Sequence, residues 1–176
     1  LVHGLSIRVA TGEDAEALSL VGAATMLETY AGFIPGPDLV AHCRVRHAAS
    51  FYSEWLADPD NRIWLAETHT GAVVGYAVLT RATLPDPDPH PDDLEVQRIY
   101  VLSRFHGSGV GYALMNKAIE CARQMQARQL VLGMLKLNEK AFAFYKRQGF
   151  DLIGQRYFQV GQSTFDDYVL GIRLNV

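Results

Sequence analysis

Residues 99–113, Ile99-Tyr100-Val101-Leu102-Ser103-Arg104-Phe105-His106-Gly107-Ser108-Gly109-Val110-Gly111-Tyr112-Ala113, decide how this chain is read. An apolar strand end, Ile99 to Val101, runs through a short polar link into three alternating glycines. Glycine has no Cβ, so the backbone can turn sharply there and come close to a ligand. The helix expected to follow presents N–H groups without intrahelical partners, at the positive end of its dipole. Strand, glycine turn and helix start together make an anion site, most often for phosphate. Two common nucleotide loops do not fit. A dinucleotide loop counted from Gly107 needs a third glycine at position 112, which is Tyr112. A P-loop needs Gly-Lys followed by Ser or Thr, which the chain lacks.

Outward from this stretch the pattern is mixed. Leu94 to Val101 reads as the strand entering the loop, and Val110 to Ala127 as an amphipathic helix with Val110, Leu114, Ala118, Cys121 and Met125 on one face. Gln129 to Leu135 is a near-continuous apolar strand, as expected inside a sheet. Asn138 to Gln148 reads as a short helix ended by Gly149, with strands at Phe150–Phe158 and Asp167–Leu174. Upstream, Ser6–Val9 alternates as a strand and Thr11 opens a helix that fades near Glu28-Thr29-Tyr30. Asp38 is expected to cap a helix to about Ala48, and Phe51–Leu56 adds a helical piece. Arg62–Thr68 and Val73–Thr80 form a hairpin around Gly71. The stretch 84–93 holds four of the seven prolines alternating with acids, so it is an extended surface loop. Two uses are open to it: a stiff connection, or an acidic rim that attracts a cationic substrate. The fold class is mixed α/β, with a strand–helix–strand unit over residues 94–135 between antiparallel hairpins.

The 176 residues suit one domain, expected over 1–176, with an ordinary balance of 49% apolar and 20% charged residues. A net charge of −3 gives no sign of a nucleic-acid surface, and no apolar run approaches a membrane span. Two cysteines without a secretory segment point to reduced thiols in a cytoplasmic protein. A start at Leu1 rather than Met is expected of a trimmed N-terminus. No metal is expected: the six histidines show no HxxxH or HxH spacing, and His42 and His47 are five apart.

His106-x-x-Gly109-x-Gly111 resembles the acetyl-CoA-binding motif of the GNAT superfamily of N-acetyltransferases, Gln/Arg-x-x-Gly-x-Gly/Ala after a strand. His106 departs from the usual Gln or Arg but keeps a hydrogen-bond donor. A second match follows about 30 residues on: Asn138, Ala141, Phe144, Tyr145, Gly149 and Phe150 fit Asn-x-x-Ala-x-x-Phe-Tyr and then Gly-Phe. Within that superfamily, Gln97–Val101, Phe105-His106-Gly107 and Phe158-x-x-Gly161 resemble the PaiA-like polyamine acetyltransferases.

The resemblance implies the acyl-CoA N-acyltransferase fold, with a mostly antiparallel sheet, and acetyl-CoA as cosubstrate. His106, Gly107, Ser108, Gly109, Val110, Gly111 and Tyr112 would hold its pyrophosphate. Backbone groups of Ile99, Tyr100 and Val101 would hold the acetyl and pantetheine arm, with Asn138 and Tyr145 beside it. The reaction needs a proton acceptor for an ammonium of pKa about 10, donors for an oxyanion, and a proton for the leaving thiolate. Tyr145 takes the general-acid role by its family position, and Glu95 falls where some members place a base-like Glu. With period two, Glu95, Gln97 and Ile99 share one strand face. Asn138 also suits a helix cap and Tyr145 an aromatic packing site. Glu28 and Tyr30 fall where the family's substrate wall forms, and Glu28 could hold a second ammonium. The expected acceptor is a small primary amine or polyamine attacking directly in a ternary complex. Peptide acetylation and a non-catalytic acyl-CoA sensor are the alternatives. A homodimer through the late strands is in keeping with the superfamily.

Overall fold

In the computed structural model, which describes residues 4–86 and 88–174, the alternating and apolar runs join into one sheet. The strands are β1 (Leu5–Val9), β2 (Arg62–Thr68), β3 (Val73–Arg81), β4 (Leu94–Val101), β5 (Gln129–Leu135), β6 (Asp151–Val160) and β7 (Ser163–Arg173). Their spatial order is β1-β2-β3-β4-β5-β7-β6, and β4–β5 is the one parallel pair among the described residues. The helices are α1 (Ala15–Tyr30), α2 (Gly36–Arg46), α3 (Ala49–Ala57), α4 (Val110–Gln124) and α5 (Glu139–Arg147). Helices α4 and α5 bury their apolar sides on one face of the sheet, while α1, α2 and α3 cover the other. No helix among the described residues is long and apolar enough to cross a membrane.

Several sequence expectations shift. Thr11 opens a short 3-10 turn, Gly12–Asp14, before α1. There Asp14 accepts Thr11 N–H at 2.7 Å and a two-pronged contact from Arg8 at 2.8 and 2.9 Å. Asp38 does not cap α2. It lies inside the first turn and reaches the β6–β7 turn, where it accepts Gln162 N–H at 2.9 Å and the Ser163 hydroxyl at 2.5 Å. The buried stripe of α4 runs through Val110, Leu114, Met115, Ala118, Ile119 and Ala122, so Cys121 and Met125 sit at its edge. Helix α4 stops at Gln124, where Gln126 turns through a positive φ of 57°. The last two strands extend to a tight turn at Gly161, giving a long hairpin.

The proline-rich loop is tied down through its acids, of which Asp93 is buried. Arg128 clamps Asp93 through Nε (3.0 Å) and Nη2 (2.7 Å), and reaches Asp88 through Nη1 at 2.6 Å. Gln129 donates to Asp86 and to Asp93. Pro87 lies outside the described residues. One guanidinium and one amide hold Asp86, Asp88 and Asp93 and brace the connection, while the side chains of Asp88 and Asp92 stay exposed to solvent. Arg128→Ala should therefore speed amide exchange at residues 88–93, on the order of tenfold, while the β5 core stays protected. Exchange followed by mass spectrometry checks this, and unchanged loop protection would count against the clamp.

Candidate active site

The site is made by a sheet that comes apart. Strands β4 and β5 pair only at Leu94↔Leu130 and Glu95↔Val131. Beyond these residues the strands diverge, leaving a wedge toward their C-terminal ends. The glycine loop and the start of α4 follow β4 on one side, and Asn138 and α5 follow β5 on the other.

The loop has the geometry its glycines permit. Gly107 and Gly109 take φ of 79° and 84°, a region that favours glycine. Among the described residues, the amides of Gly107, Gly109, Gly111 and Tyr112 donate to no protein acceptor. Ser108 braces the loop by donating to Phe105 O at 2.6 Å. Beside it runs a groove of about 630 Å³ whose lining includes His69, Arg104, His106 and Ser108. His106 donates Nε2–H to Val101 O at 2.8 Å, which pins the loop to the end of β4 and uses this donor internally. The Tyr112 ring stands exposed on the first turn of α4. The two sequence motifs meet in space, because Gly111 lies against the Phe144 ring, where a Cβ would sit at 3.6 Å.

Side chains from both faces of the sheet share the wedge. Tyr145 comes from α5, packed against Phe144 and Phe150. Its phenol pKa is raised by burial and then by the hydroxyls of Tyr30 and Tyr100, which belong to the opposite face. Tyr30 is pushed up to about 12, chiefly by burial and then by Tyr100, while the nearby Asn138 side chain opposes the shift. Asn138 caps α5, its Oδ1 accepting Ala141 N–H at 3.1 Å. Among the described residues the Tyr145 hydroxyl makes no hydrogen bond, so it is a donor without an acceptor.

A β-bulge corrects the face assigned to Glu95. The β3–β4 register slips between Val78 and Leu79, leaving Gln97 without a partner. Leu94 and Val96 face α4, and after the bulge Ile99 and Val101 do so. Glu95, Arg98 and Tyr100 lie on the other face, opposite Thr80, Val78 and Tyr76. Glu95 therefore does not share a face with Ile99, because one extra residue reverses the alternation. The phase change from Leu94/Val96 to Ile99/Val101 was the signal in the sequence. Glu95 is buried, and one oxygen accepts Thr83 N–H at 2.8 Å and the Thr83 hydroxyl at 3.1 Å. Burial raises its pKa, which Thr83 and then Arg156 oppose.

On that same face a row of charges crosses the sheet. Arg156 of the edge strand β6 donates Nε–H to Asp167 of β7 at 3.1 Å, and its guanidinium lies over Gly133 of β5. A Cβ at Gly133 would meet Arg156 Nη2 at 2.7 Å, so a larger residue there would push the guanidinium aside. Asp167 is 2% exposed, and its Oδ1 has no partner among the described residues. Sequence reading missed Asp167 and Arg156, since an acid in Asp166-Asp167 looks like an ordinary solvated strand end. The Glu28 carboxylate accepts Ser103 N–H at 3.0 Å and holds the start of the glycine loop. Glu28 and Tyr30, expected on one wall, thus make different contacts.

The comparisons agree with this geometry. Residues 26–150 match the model of the acetyltransferase (GNAT) family. An uncharacterised N-acetyltransferase of Mycobacterium tuberculosis is 31% identical over 157 residues, covering 89% of this chain and 96% of that protein. Among solved structures, a PaiA N-acetyltransferase from Thermoplasma acidophilum in complex with coenzyme A has a TM-score of 0.78 at 17% identity, covering 96% of this chain and 98% of that one. A ribosomal-protein-alanine N-acetyltransferase from Brucella melitensis has a TM-score of 0.72 at 28% identity, covering 96% and 99%. With its wedge, glycine loop and capped α5 in these positions, the chain belongs to the GNAT family of acetyltransferases.

Proposed function

We propose that this protein moves an acetyl group from acetyl-CoA to the primary amine of a small cationic acceptor, a polyamine being the leading class. The observation that carries the reading is Tyr145, an unpartnered phenol inside the β4–β5 wedge, next to a loop with four free amides. The residues present fit acetyl-CoA. The amides of Gly107, Gly109, Gly111 and Tyr112 suit a pyrophosphate, with Ser108 and Val110 framing them. The β4 segment Ile99–Val101 offers backbone groups along the wedge, with Asn138 across it. When bound, acetyl-CoA supplies the acetyl group as a thioester. Tyr145 then donates toward the departing sulfur, and a carboxylate on the α1 side takes a proton from the ammonium.

A small acceptor is favoured by how the α1 side is closed. Asp38 ties α2 to the β6–β7 turn, and Met26, Ile34, Leu39, Leu135 and Val160 pack beneath that strap. Such a covered face suits a small molecule better than a peptide lying in a groove. The second reading, acetylation of a protein, takes its support from the Brucella relative, named a ribosomal-protein-alanine N-acetyltransferase.

Thiol release from acetyl-CoA, scanned over spermidine, other polyamines, amino acids, a basic peptide and a peptide with N-terminal alanine, tests these readings. Turnover with polyamines is the expected result. Turnover with peptides alone would move the acceptor to protein. Tight CoA binding with no acceptor turned over would leave an acyl-CoA sensor.

A further inference from the structure

Asp167 has an unpaired oxygen that the fold does not explain. The carboxylate is buried, its Oδ2 takes one bond from Arg156, and its Oδ1 faces no donor among the described residues. Leaving a buried charged acceptor unmatched is costly, so the position is expected to have a donor in its working state. The register fixes where that oxygen lies. Asp167 pairs with Leu135 of β5 and Arg156 of β6, on the face that carries Glu95, Gly133 and Val169. The half-buried rings of Tyr30 and Phe158 pack with Leu135 in one apolar cluster. Arg156 bonds to Asp167, and its charge also opposes the burial that raises the Glu95 pKa. Glu95 is the better satisfied of the two, with two bonds from Thr83.

We propose that the donor missing from Asp167 Oδ1 is the ammonium of the acceptor amine, and that Asp167, positioned by Arg156, takes its proton. The inference rests on the amine-acetylation reading and names the acceptor side of that same site. Oδ1 is shut from water in the present arrangement, next to the cluster that holds Tyr30, Phe158 and Leu135. Asp167 accepts one ammonium proton and becomes a carboxylic acid. The freed nitrogen lone pair forms the C–N bond as the C–S bond breaks. Tyr145 donates a hydrogen bond to the departing sulfur, the thiolate takes up the second proton that the nitrogen sheds, and Asp167 then returns its proton to water. Arg156 of β6 faces Asp167, Tyr30 of α1 and Tyr100 of β4 act on it from the same side, and its chain neighbour Asp166 points to the opposite face beside Lys136. From α2, His42 sets its ring edge-on to Phe158, and Lys136 lies on the other face over Tyr168. Burial raises the Asp167 pKa against the pull of Arg156, which makes it a stronger base than an exposed aspartate.

The test measures thiol release with spermidine and with the alanine peptide in wild type, Asp167→Asn, Asp167→Glu and Glu95→Gln, alongside calorimetric affinity for acetyl-CoA. Asp167→Asn is expected to lower kcat/KM roughly a hundredfold at pH 7, with acetyl-CoA affinity within twofold of wild type. Asp167→Glu should recover part of the loss, and Glu95→Gln should lose less than Asp167→Asn. Near pH 9.5 the amine sheds its own proton, so the deficit of Asp167→Asn should shrink to about tenfold or less. A purely structural role would keep the deficit constant with pH. An Asp167→Asn enzyme within threefold of wild type, or one whose acetyl-CoA affinity falls in step with its activity, overturns the proposal alone. A wild type that binds acetyl-CoA and acetylates neither amine overturns the amine reading and this proposal together.

Discussion

Replacing Tyr145 with phenylalanine is expected to lower kcat about a hundredfold while affinity for acetyl-CoA and the thermal midpoint stay near wild type. The ring is held by Phe144 and Phe150, with centroids at 5.3 and 6.1 Å, and phenylalanine keeps both contacts. Only the hydroxyl is lost, and among the described residues it bonds to nothing in the protein. The size of the effect follows from acidity. A free thiol has a pKa of about 8.5, and burial holds the Tyr145 phenol above its usual value of 10. Full proton transfer to a thiolate is therefore uphill, and the phenol acts mainly as a hydrogen-bond donor to charge building on sulfur. A donor of that kind is worth about 10²–10³ in rate, and we place Tyr145 at the lower end. Single-turnover kinetics with saturating acetyl-CoA separates this from weaker binding. A kcat within threefold of wild type would make Tyr145 a packing residue and shift the proton source elsewhere.

The parts of the molecule that could be read from sequence are those written in periodicity and punctuation. The glycine loop, the helix after it and the Asn138-to-Phe150 run each carry local signals, and all three stand where those signals put them. The pairing of β4 with β5 was also legible, since a strand–helix–strand unit puts its strands in parallel. The separation of those strands was not. Nothing in residues 96–101 or 132–135 announces that they part after two pairs, yet that parting lets Tyr145 meet Tyr30 and Tyr100 through the sheet. The same holds for Asp38, read as a helix cap, whose partners Gln162 and Ser163 are more than 120 residues away. Local chemistry favours a cap, and the tertiary partner wins. The Arg156–Asp167 pair is legible only in cross-strand register, which depends on where a distant turn falls.

Gly22 gives the largest stability prediction, and its sign runs against helix propensity. Gly22 lies in the middle of α1, where alanine would ordinarily gain about 1 kcal/mol. Beneath it sits a buried polar cluster. Arg98 donates to Tyr52 Oη at 2.6 Å and to the Arg46 carbonyl at 2.6 Å, Tyr52 bonds to Tyr76, and His47 Nδ1 lies 3.0 Å from Tyr52 Oη. Arg98 is a buried cation without a carboxylate in this cluster, eased by these oxygens and by the faces of Phe51, Tyr52 and Trp55. His47 stays neutral, its pKa pushed down to about 3 by burial and then by Arg98. A Cβ at Gly22 would stand 2.5 Å from Tyr76 Oη, with Tyr52 Oη and His47 Nδ1 nearer still. These are tips of rings fixed in the core, so the helix or the network must give way. Overpacking costs about 1–3 kcal/mol, and disturbing the bonds around a buried cation adds more, which outweighs the gain in propensity. Gly22→Ala should lose roughly 3 kcal/mol and melt about 6–12 °C lower in a chain of this size. Gly32→Ala, where a Cβ meets nothing within 4 Å, is the control and should melt at or slightly above wild type. A Gly22→Ala protein as stable as that control would mean that α1 can lift from the cluster at little cost.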